Sequence, residues 1–299
     1  MLEFSDRHNP LIAAGLRAGG PPRPSVVGTP IIADVPLGDS PAHVVALLCL
    51  AMSQDLALVT THRIRDALYA RRILDMIGCR DTAVATPDDR EQFDTETLGR
   101  ILNGRAEEAV RTLCGSAPAW RPVRWVGIGS PVLLNQILGS APELSQRLVV
   151  TQVDTLFSRF PREASRIVNL MDLQIVLAET GGERTIAPRD LAATCNDPCA
   201  AIIGNHAHSA PSSATPVIAA AASLRMPVVT VGRRRTTITE SGQVIVAPAE
   251  GRQVTLGQDD PTISYLPQET RRVTCRIDPY FETWLTKQLN RLPTNNHTK

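Results

Sequence analysis

The chain has 299 residues, of which 31 are basic and 30 acidic, so its formal net charge is only +1. This balance predicts no nucleic-acid partner and no binding to an anionic membrane, because both require a clear excess of positive charge. No apolar run is long enough to cross a bilayer, and the N-terminus lacks the pattern of a secretory signal. We therefore expect a cytoplasmic protein with a full hydrophobic core.

Strand-like and helix-like segments alternate from residue 30 onward. The predicted strands are Pro30–Ala33, Leu56–Thr60, Arg124–Ile128, Leu148–Val150, Gln174–Ala178 and Pro227–Val231. The predicted helices are His43–Met52, Ile64–Ile77, Leu133–Leu138, Pro161–Leu170, Val217–Leu224 and Ile277–Leu289. This order predicts an α/β fold with a mostly parallel, Rossmann-like open sheet and helices on both faces. Ligands of such sheets bind beyond the carboxyl ends of the strands.

The chain divides into a central domain and two ends. Residues 1–29 finish in a run of glycines and prolines, which predicts a flexible lead-in. Residues 30–290 are expected to form a single domain, and residues 291–299 a frayed tail. Between Thr236 and Val273, short strands separated by turns at Ser241-Gly242 and Glu250-Gly251 predict a small β-hairpin region.

Six cysteines are scattered through mostly apolar stretches, which is typical of reduced, buried thiols in a chain of this size. One short segment contains four candidate zinc ligands, Cys195, Cys199, His206 and His208. Their spacing matches no standard zinc finger, and the segment is also typical of an amphipathic helix with Cys199 buried. We favour the structural interpretation, although the sequence does not decide whether this group binds a metal.

A series of patches follows one another in the order found in a known enzyme family. The patches are Pro30–Ala51, Leu58–Asp75, Arg124–Val150, Pro161–Val168, Ala187–Asp190 and Asp278–Leu289. Over residues 30–290 the chain thereby resembles the inosine–uridine nucleoside hydrolases, most closely at 124–150, where that family has a strand, a Gly-Pro-Leu-Thr-Asn turn, a helix and another strand. The resemblance implies the nucleoside hydrolase fold, a homo-oligomer, and a nucleoside or related ribosyl compound as ligand.

The residues that carry this family's chemistry are mostly missing. The family binds calcium with an Asp-x-Asp-Pro-Gly-x-Asp-Asp loop and a late His-Asp-Pro segment, and calcium requires six to eight oxygen ligands. The corresponding loop here keeps two acids, Asp34 and Asp39, and in one register the key acids fall on Pro36, Ser40 and Pro41. The late segment reads Ala-Thr-Pro at 214–216. The resemblance therefore implies a pseudoenzyme candidate with no calcium and no other cofactor.

Two functions remain open at this point. The first is a non-hydrolytic homologue that binds a ligand or a protein partner, including a structural or regulatory subunit. The second is a divergent hydrolase of nucleosides or related N-glycosides, with a rebuilt site around Asp34, Asp39 and His62. Fold alone does not choose between them.

The candidate site residues have structural alternatives. Asp34, Asp39 and His62 are the candidate catalytic groups, because carboxylates and an imidazole near strand ends can move protons. Yet Asp39-Ser40-Pro41 is also typical of a helix N-cap, and His62 of a solvated loop. Further candidate ligand-pocket residues are Ser40, His43, Asn135, Thr151 and Asp154. A cluster of arginines at 233–235 and 271–272 either binds phosphate or, as we favour, forms a solvated hairpin face.

Overall fold

The computed structural model describes residues 28–87, 101–118, 121–170, 172–181, 184–247 and 269–292. The strands are β1 (Ile31–Asp34), β2 (Leu56–Thr60), β3 (Ala83–Thr86), β4 (Leu102–Asn103), β5 (Val123–Gly127), β6 (Leu148–Val153), β7 (Leu173–Val176), β8 (Thr185–Ile186), β9 (Ser212–Ser213), β10 (Val229–Ile238), β11 (Val244–Val246) and β12 (Glu269–Ile277). The helices are α1 (Pro41–Ala51), α2 (Ile64–Met76), α3 (Ala106–Ser116), α4 (Val132–Ser140), α5 (Thr155–Arg159), α6 (Ala178–Gly181), α7 (Pro188–Thr194), α8 (Cys199–Gly204), α9 (Thr215–Ser223) and α10 (Phe281–Leu289).

The described residues form a ten-stranded sheet in the order β11-β10-β12-β7-β6-β5-β1-β2-β3-β4. From β12 to β4, each strand is parallel to its neighbours, whereas β10 is antiparallel to both β12 and β11. Strands β8 and β9 form a separate antiparallel pair. The mostly parallel α/β architecture is confirmed, as is a hairpin near the C-terminus that turns at Ser241 and Gly242.

Helices cover both faces of the central sheet. On one face lie α1 and α9, two helices of small and aliphatic residues that are buried almost all round and contact each other. On the other face, α3 and α4 pack over Trp125 and its neighbours. Strands covered on both faces lose contact with water, which explains the apolar run at 31–33 in β1 and the burial of every residue of β5.

The strand order creates a crevice beside β1. The chain builds β1 to β4 in one direction and then returns to the other side of β1 with β5. Connections therefore leave β1 and β5 in opposite directions, and a gap opens beyond Asp34 and Gly127, which end these strands. Such a switch point is the usual ligand position in an open parallel sheet.

The predicted helix at 161–170 is wrong as an α-helix. The segment forms turns and a short 3-10 helix at Ile167–Asn169. Ala164, Ile167 and Leu170 are all buried. Their spacing of three places them on one side of a 3-10 turn, whereas an α-helix would rotate the last of them away from the core.

The last helix begins later than predicted. Ile277 belongs to β12, where it pairs with Val229. The carboxylate of Asp278 then accepts a hydrogen bond from the Tyr280 N–H at 2.8 Å and forms a turn, so α10 begins at Phe281. The other predicted elements overlap observed ones, while β3, β4 and α3 had no counterpart in the sequence-based prediction.

The two chain ends lie mostly outside the described residues, as does the predicted turn at Glu250-Gly251. At the described boundary, Thr29 is fully buried, and its carbonyl accepts a hydrogen bond from Arg124 at 2.8 Å. Leu292 at the other end is also buried. In the part of the chain that the structure covers, no helix is both long enough and apolar enough to cross a lipid bilayer.

Candidate functional site

A cleft of about 630 Å³ opens at the carboxyl end of the sheet, beside the switch point. Its walls come from the loops after β1, β2 and β5, from α5, and from the start of α9. A cavity of similar size, about 660 Å³, lies at the opposite end of the strands beside Asp55, Arg124 and Trp284. The first cleft is the better candidate site because titratable side chains from several loops converge there at the position expected for this topology.

Asp34 and His62 meet at the floor of this cleft. Asp34 ends β1 with only 1% exposure, and its Oδ1 accepts a hydrogen bond from the Thr60 hydroxyl at 2.9 Å. The Nε2 atom of His62 lies 3.6 Å from the same oxygen, which is too long for a good hydrogen bond and is better described as an ion-pair contact. The Asp34 carboxylate raises the pKa of His62, although burial of the imidazole opposes this effect.

Arg63 bridges two carboxylates at the rim of the cleft. Its Nη2 lies 2.7 Å from Oδ1 of Asp39, and its Nε donates to Oδ2 of Asp66 at 3.0 Å. The Asp39 side chain is 56% exposed, whereas that of Asp66 is 6% exposed. The hydrogen bond to Asp66 has the larger effect and the one to Asp39 the smaller, and both raise the pKa of Arg63. A β-carbon at Gly38 would lie 2.8 Å from the Arg63 Nη2 and 2.9 Å from the Asp66 Oδ1, so a larger residue there would displace the ends of these side chains.

The start of α1 forms another part of the wall. Ser40 is the N-cap, since its hydroxyl accepts a hydrogen bond from the Ala42 N–H at 3.3 Å. The Nδ1 atom of His43 lies 2.7 Å from the carbonyl oxygen of Pro36, so Nδ1 carries the proton in this contact. Burial lowers the pKa of His43. The two histidines of the cleft are thus shifted in opposite directions, since the pKa of His62 is raised.

The opposite wall carries hydroxyls and a second guanidinium. The Ser213 and Thr215 hydroxyls are 2.8 Å apart at the beginning of α9, and the Ser213 hydroxyl also accepts from the Thr215 N–H at 3.2 Å. Arg159 ends α5, and its guanidinium carbon lies 5.3 Å from the centre of the Phe160 ring. Both Arg159 and Phe160 border the cleft.

The structure brings together half of the predicted site residues. Asp39, His43 and His62 border the cleft, and Asp34 contacts His62 at its floor. Ser40 is occupied as the cap of α1.

The remaining three predicted residues have other roles. Asn135 lies on α4, where its side-chain oxygen accepts from the Arg166 N–H at 3.3 Å. Thr151 is buried within β6. The Asp154 carboxylate accepts from the backbone N–H groups of Thr155 at 2.7 Å and Ala178 at 3.0 Å, and burial raises its pKa. None of the three is among the described residues that border the cleft.

Sequence reasoning missed Arg63, Asp66 and Arg159 as site residues. Arg63 and Asp66 stand three positions apart at the start of α2, a spacing that brings side chains together on a helix. That spacing is the sequence feature from which the pair could have been predicted. The sequence offers no such feature for Arg159, because its place at the cleft depends on how the loop after β6 folds back.

Two of the residues considered as zinc ligands, Cys199 and His206, make other contacts. The Cys199 thiol donates to the Leu289 carbonyl at 3.4 Å, and burial raises its pKa to about 12. His206 Nε2 lies 2.8 Å from the Tyr69 hydroxyl. Throughout the described ranges, no three histidine, cysteine, aspartate or glutamate side chains converge as a metal site.

The arginine cluster lies on the antiparallel strands β10 and β12, away from the cleft. Arg233 is paired directly with Arg272, and Arg234 with Arg271, across β10 and β12. Arg233 is exposed, in accord with a solvated face, but Arg271 is buried and donates to the Leu170 carbonyl at 3.4 Å.

Calcium does not fit the donor set of the cleft. The ion needs several carboxylate oxygens that are free to turn toward it. Here Asp39 and Asp66 are bound by the guanidinium of Arg63, and Asp34 is contacted by Thr60 and His62. A divalent cation would have to displace the chain's own positive groups.

Comparison with solved structures identifies the architecture. A plant nucleoside hydrolase is 12% identical, with a TM-score of 0.62 over 89% of this chain and 99% of that one. An inosine-guanosine nucleoside hydrolase is 11% identical, with a TM-score of 0.63 over 88% of this chain and 98% of that one. No protein-family model and no curated protein sequence matches the chain. The protein therefore has the nucleoside hydrolase fold.

Proposed function

We propose that this protein binds a small ribosyl ligand in the cleft and has lost calcium-dependent N-ribohydrolase activity. The observation that carries the proposal is the bridge from Arg63 to Asp39 and Asp66, at 2.7 and 3.0 Å. A cation supplied by the chain itself contacts both carboxylates and offsets one of their two negative charges. A metal ion or a water to be activated would have to compete with this guanidinium for them.

The floor of the cleft also favours binding over hydrolysis. Asp34 is buried and accepts a hydrogen bond from Thr60, and the neighbouring His62 has a raised pKa. A general base must accept a proton from water. A carboxylate that already accepts a hydrogen bond and contacts an imidazole with a raised pKa is a weak acceptor for that proton.

The size and lining of the cleft suit a small polar ligand. A volume of about 630 Å³ lies within the range of small-molecule sites, about 300–1,000 Å³. Apolar side chains such as Ile128 and Leu156 alternate with the hydroxyls of Ser130 and Thr155 around it. The two named structural neighbours are nucleoside hydrolases, so ribosyl compounds are the first ligands to test.

Calorimetry and a product assay test the proposal together. We expect calcium chloride to give no binding heat, inosine and uridine to release no reducing sugar, and at least one ribosyl compound to bind and raise the melting temperature. A nucleoside hydrolase of known activity, assayed in parallel, provides the positive control. Calcium binding accompanied by ribose release would overturn the proposal.

A divergent N-glycoside hydrolase is the second candidate function. It is favoured by the contact between Asp34 and His62, since an imidazole with a raised pKa can donate a proton to a leaving group. Asp39 would be its third residue, but Arg63 already binds that carboxylate. If ribose release is observed, is insensitive to EDTA, and is abolished in both Asp34→Asn and His62→Gln, this candidate replaces the first.

A protein partner is a further possibility within the same proposal. The resemblance also implies a homo-oligomer, and a regulatory subunit would need a second chain. Light scattering coupled to size-exclusion chromatography measures the mass in solution. A monomer that binds ribosyl ligands would support the ligand-binding form of the proposal and exclude the homo-oligomer.

A further inference from the structure

We infer that the cleft selects ribosyl ligands that carry a phosphate group, with the Arg159 guanidinium as the phosphate-binding group. The inference rests on the proposed ligand-binding function and names the class of ligand. It is carried by the distribution of charge around the cleft and by the way Arg159 is held.

Each acidic side chain at the cleft is in contact with a basic one. Asp34 is contacted by His62, and Asp39 and Asp66 share the single guanidinium of Arg63. Arg159 also borders the cleft, yet it takes part in none of the ion pairs among the described residues. Its positive charge is therefore not in contact with any of these carboxylates.

The two acids nearest to Arg159 along the chain are Glu163 and Asp154, and neither forms an ion pair with it among the described residues. Asp154 lies at the other end of α5, where its Oδ1 accepts hydrogen bonds from the backbone N–H groups of Thr155 and Ala178. This carboxylate is committed to holding the loop.

Arg159 is oriented for such an anion. Its guanidinium lies over the Phe160 ring, with 5.3 Å between the guanidinium carbon and the ring centre. A guanidinium held against an aromatic ring keeps its N–H groups available at the edge, and this planar fork matches two oxygens of a phosphate. The ring already restricts the conformations of the Arg159 side chain, so less conformational entropy is lost when a ligand binds.

Neutral hydrogen-bond donors also border the cleft. Ser130, Thr155, Ser213 and Thr215 all border the cleft and can hydrogen-bond the hydroxyls of a sugar. The start of α9 also lies there. The Ser213 hydroxyl already accepts from the Thr215 N–H, so this helix contributes through its dipole and not through that N–H.

Matched pairs of probes test the inference. Calorimetry compares adenosine 5′-monophosphate with adenosine, and ribose 5-phosphate with ribose, with inorganic phosphate titrated alone. We expect each phosphorylated probe to bind at least about 10-fold more tightly than its neutral partner, equivalent to about 1.4 kcal/mol. The preference should weaken as salt is raised, because an exposed charge pair is screened.

Variants assign the preference to one side chain. Arg159→Gln is expected to remove the difference in affinity between adenosine 5′-monophosphate and adenosine, and Arg159→Lys to retain part of that difference. Arg162→Gln is the matched control, since Arg162 is an exposed arginine three positions further on that does not border the cleft. Circular dichroism melts check that each variant folds.

The outcomes separate the two proposals. Equal affinity for phosphorylated and neutral probes, or a preference that survives Arg159→Gln, overturns the inference and leaves the ligand-binding function standing. Calcium-dependent release of ribose, or no binding of any ribosyl probe, overturns the proposed function and the inference with it. A preference lost in Arg159→Gln and kept in Arg162→Gln supports both.

Discussion

The guanidinium of Arg63 donates to the buried carboxylate of Asp66 at 3.0 Å, three residues further along the same helix. The same guanidinium reaches Asp39 in the loop before α1 at 2.7 Å. One side chain thus joins the first residues of α2 to the loop after β1, at the position where the fold opens its cleft. The nucleoside hydrolase architecture is preserved around a site whose positive charge comes from the protein.

Double-mutant cycles should show that Arg63 is coupled more strongly to Asp66 than to Asp39. The coupling free energy between Arg63→Gln and Asp66→Asn is expected to be about 1–2 kcal/mol, because Asp66 is shielded from water. The coupling between Arg63→Gln and Asp39→Asn should be below about 1 kcal/mol, because both side chains are more than half exposed. Urea unfolding of the single and double variants measures both values. Equal couplings would contradict this account.

Removal of the Asp34 carboxylate should destabilise the floor of the cleft. Asp34→Ala leaves the buried Thr60 hydroxyl without its acceptor and His62 without its counter-charge. We expect the free energy of unfolding to fall by about 1–3 kcal/mol. Asp39→Ala, which removes an exposed carboxylate, is the control and should cost less than about 1 kcal/mol. A smaller loss at Asp34 than at Asp39 would show that the contact does not stabilise the fold.

The contact with Asp34 should make the contribution of His62 to stability depend on pH. Because the folded pKa of His62 is raised, its stabilisation is fully present below the ordinary value of about 6.5. It is then lost as the pH rises through the higher, folded value. The difference in unfolding free energy between wild type and His62→Gln should therefore shrink as the pH is raised from about 5.5 to about 8.5.

His43 provides the opposite dependence for comparison. Burial lowers its pKa, so protonation favours the unfolded chain and His43 reduces stability as the pH falls below its ordinary value. His43→Gln should consequently gain stability relative to wild type toward low pH, apart from the constant cost of its lost contact with Pro36. A His62→Gln difference that stays constant with pH would contradict the proposed ion pair.

Substitution of Gly129 should disturb His62 directly. A β-carbon at this position would lie 3.1 Å from the Cδ of Pro36 and 3.2 Å from the Nε2 of His62. We expect Gly129→Ala to destabilise the protein by about 1–3 kcal/mol, as overpacking of a tight contact does. The imidazole resonances in an NMR titration should also move. Gly204→Ala serves as control, because nothing lies within 4 Å of a β-carbon there.

Thiol labelling of the native protein should be selective for one cysteine. Cys275 is exposed, whereas Cys49, Cys114 and Cys199 are buried and Cys79 and Cys195 are half-buried. The sequence-based expectation of buried thiols is thus wrong for Cys275. We expect a thiol reagent to modify about one cysteine rapidly and the others only on unfolding, since burial both blocks access and disfavours the thiolate. Cys275→Ser should abolish the rapid phase.

Local sequence patterns were sufficient for most of the fold. The run Leu56–Thr60 and the helical spacing that begins at Ile64 predict β2 and the start of α2 at the residues observed. Ser40-Pro41 marks the beginning of α1 through the chemistry of an N-cap. These features depend on the backbone within a few residues, so the order of amino acids determines them directly.

The predicted helix at 161–170 shows where local patterns end. A spacing of three between two apolar residues, such as Ala164 and Ile167, occurs in both an α-helix and a 3-10 turn. Packing of Ile167 against the core selects the second. Tertiary burial thus decided a structure that local propensity left undetermined.

The order of strands and helices, and the presence of two acids in the loop after β1, follow from the amino-acid sequence alone. Which side chains meet those acids follows from the folded chain. Asp34 ends β1 and His62 follows β2, Asp39 and Arg63 lie on separate loops, and Arg159 lies beyond β6. Side chains so far apart in the chain meet only because the parallel sheet aligns its strand ends and reverses direction at β1, and no local spacing encodes that reversal.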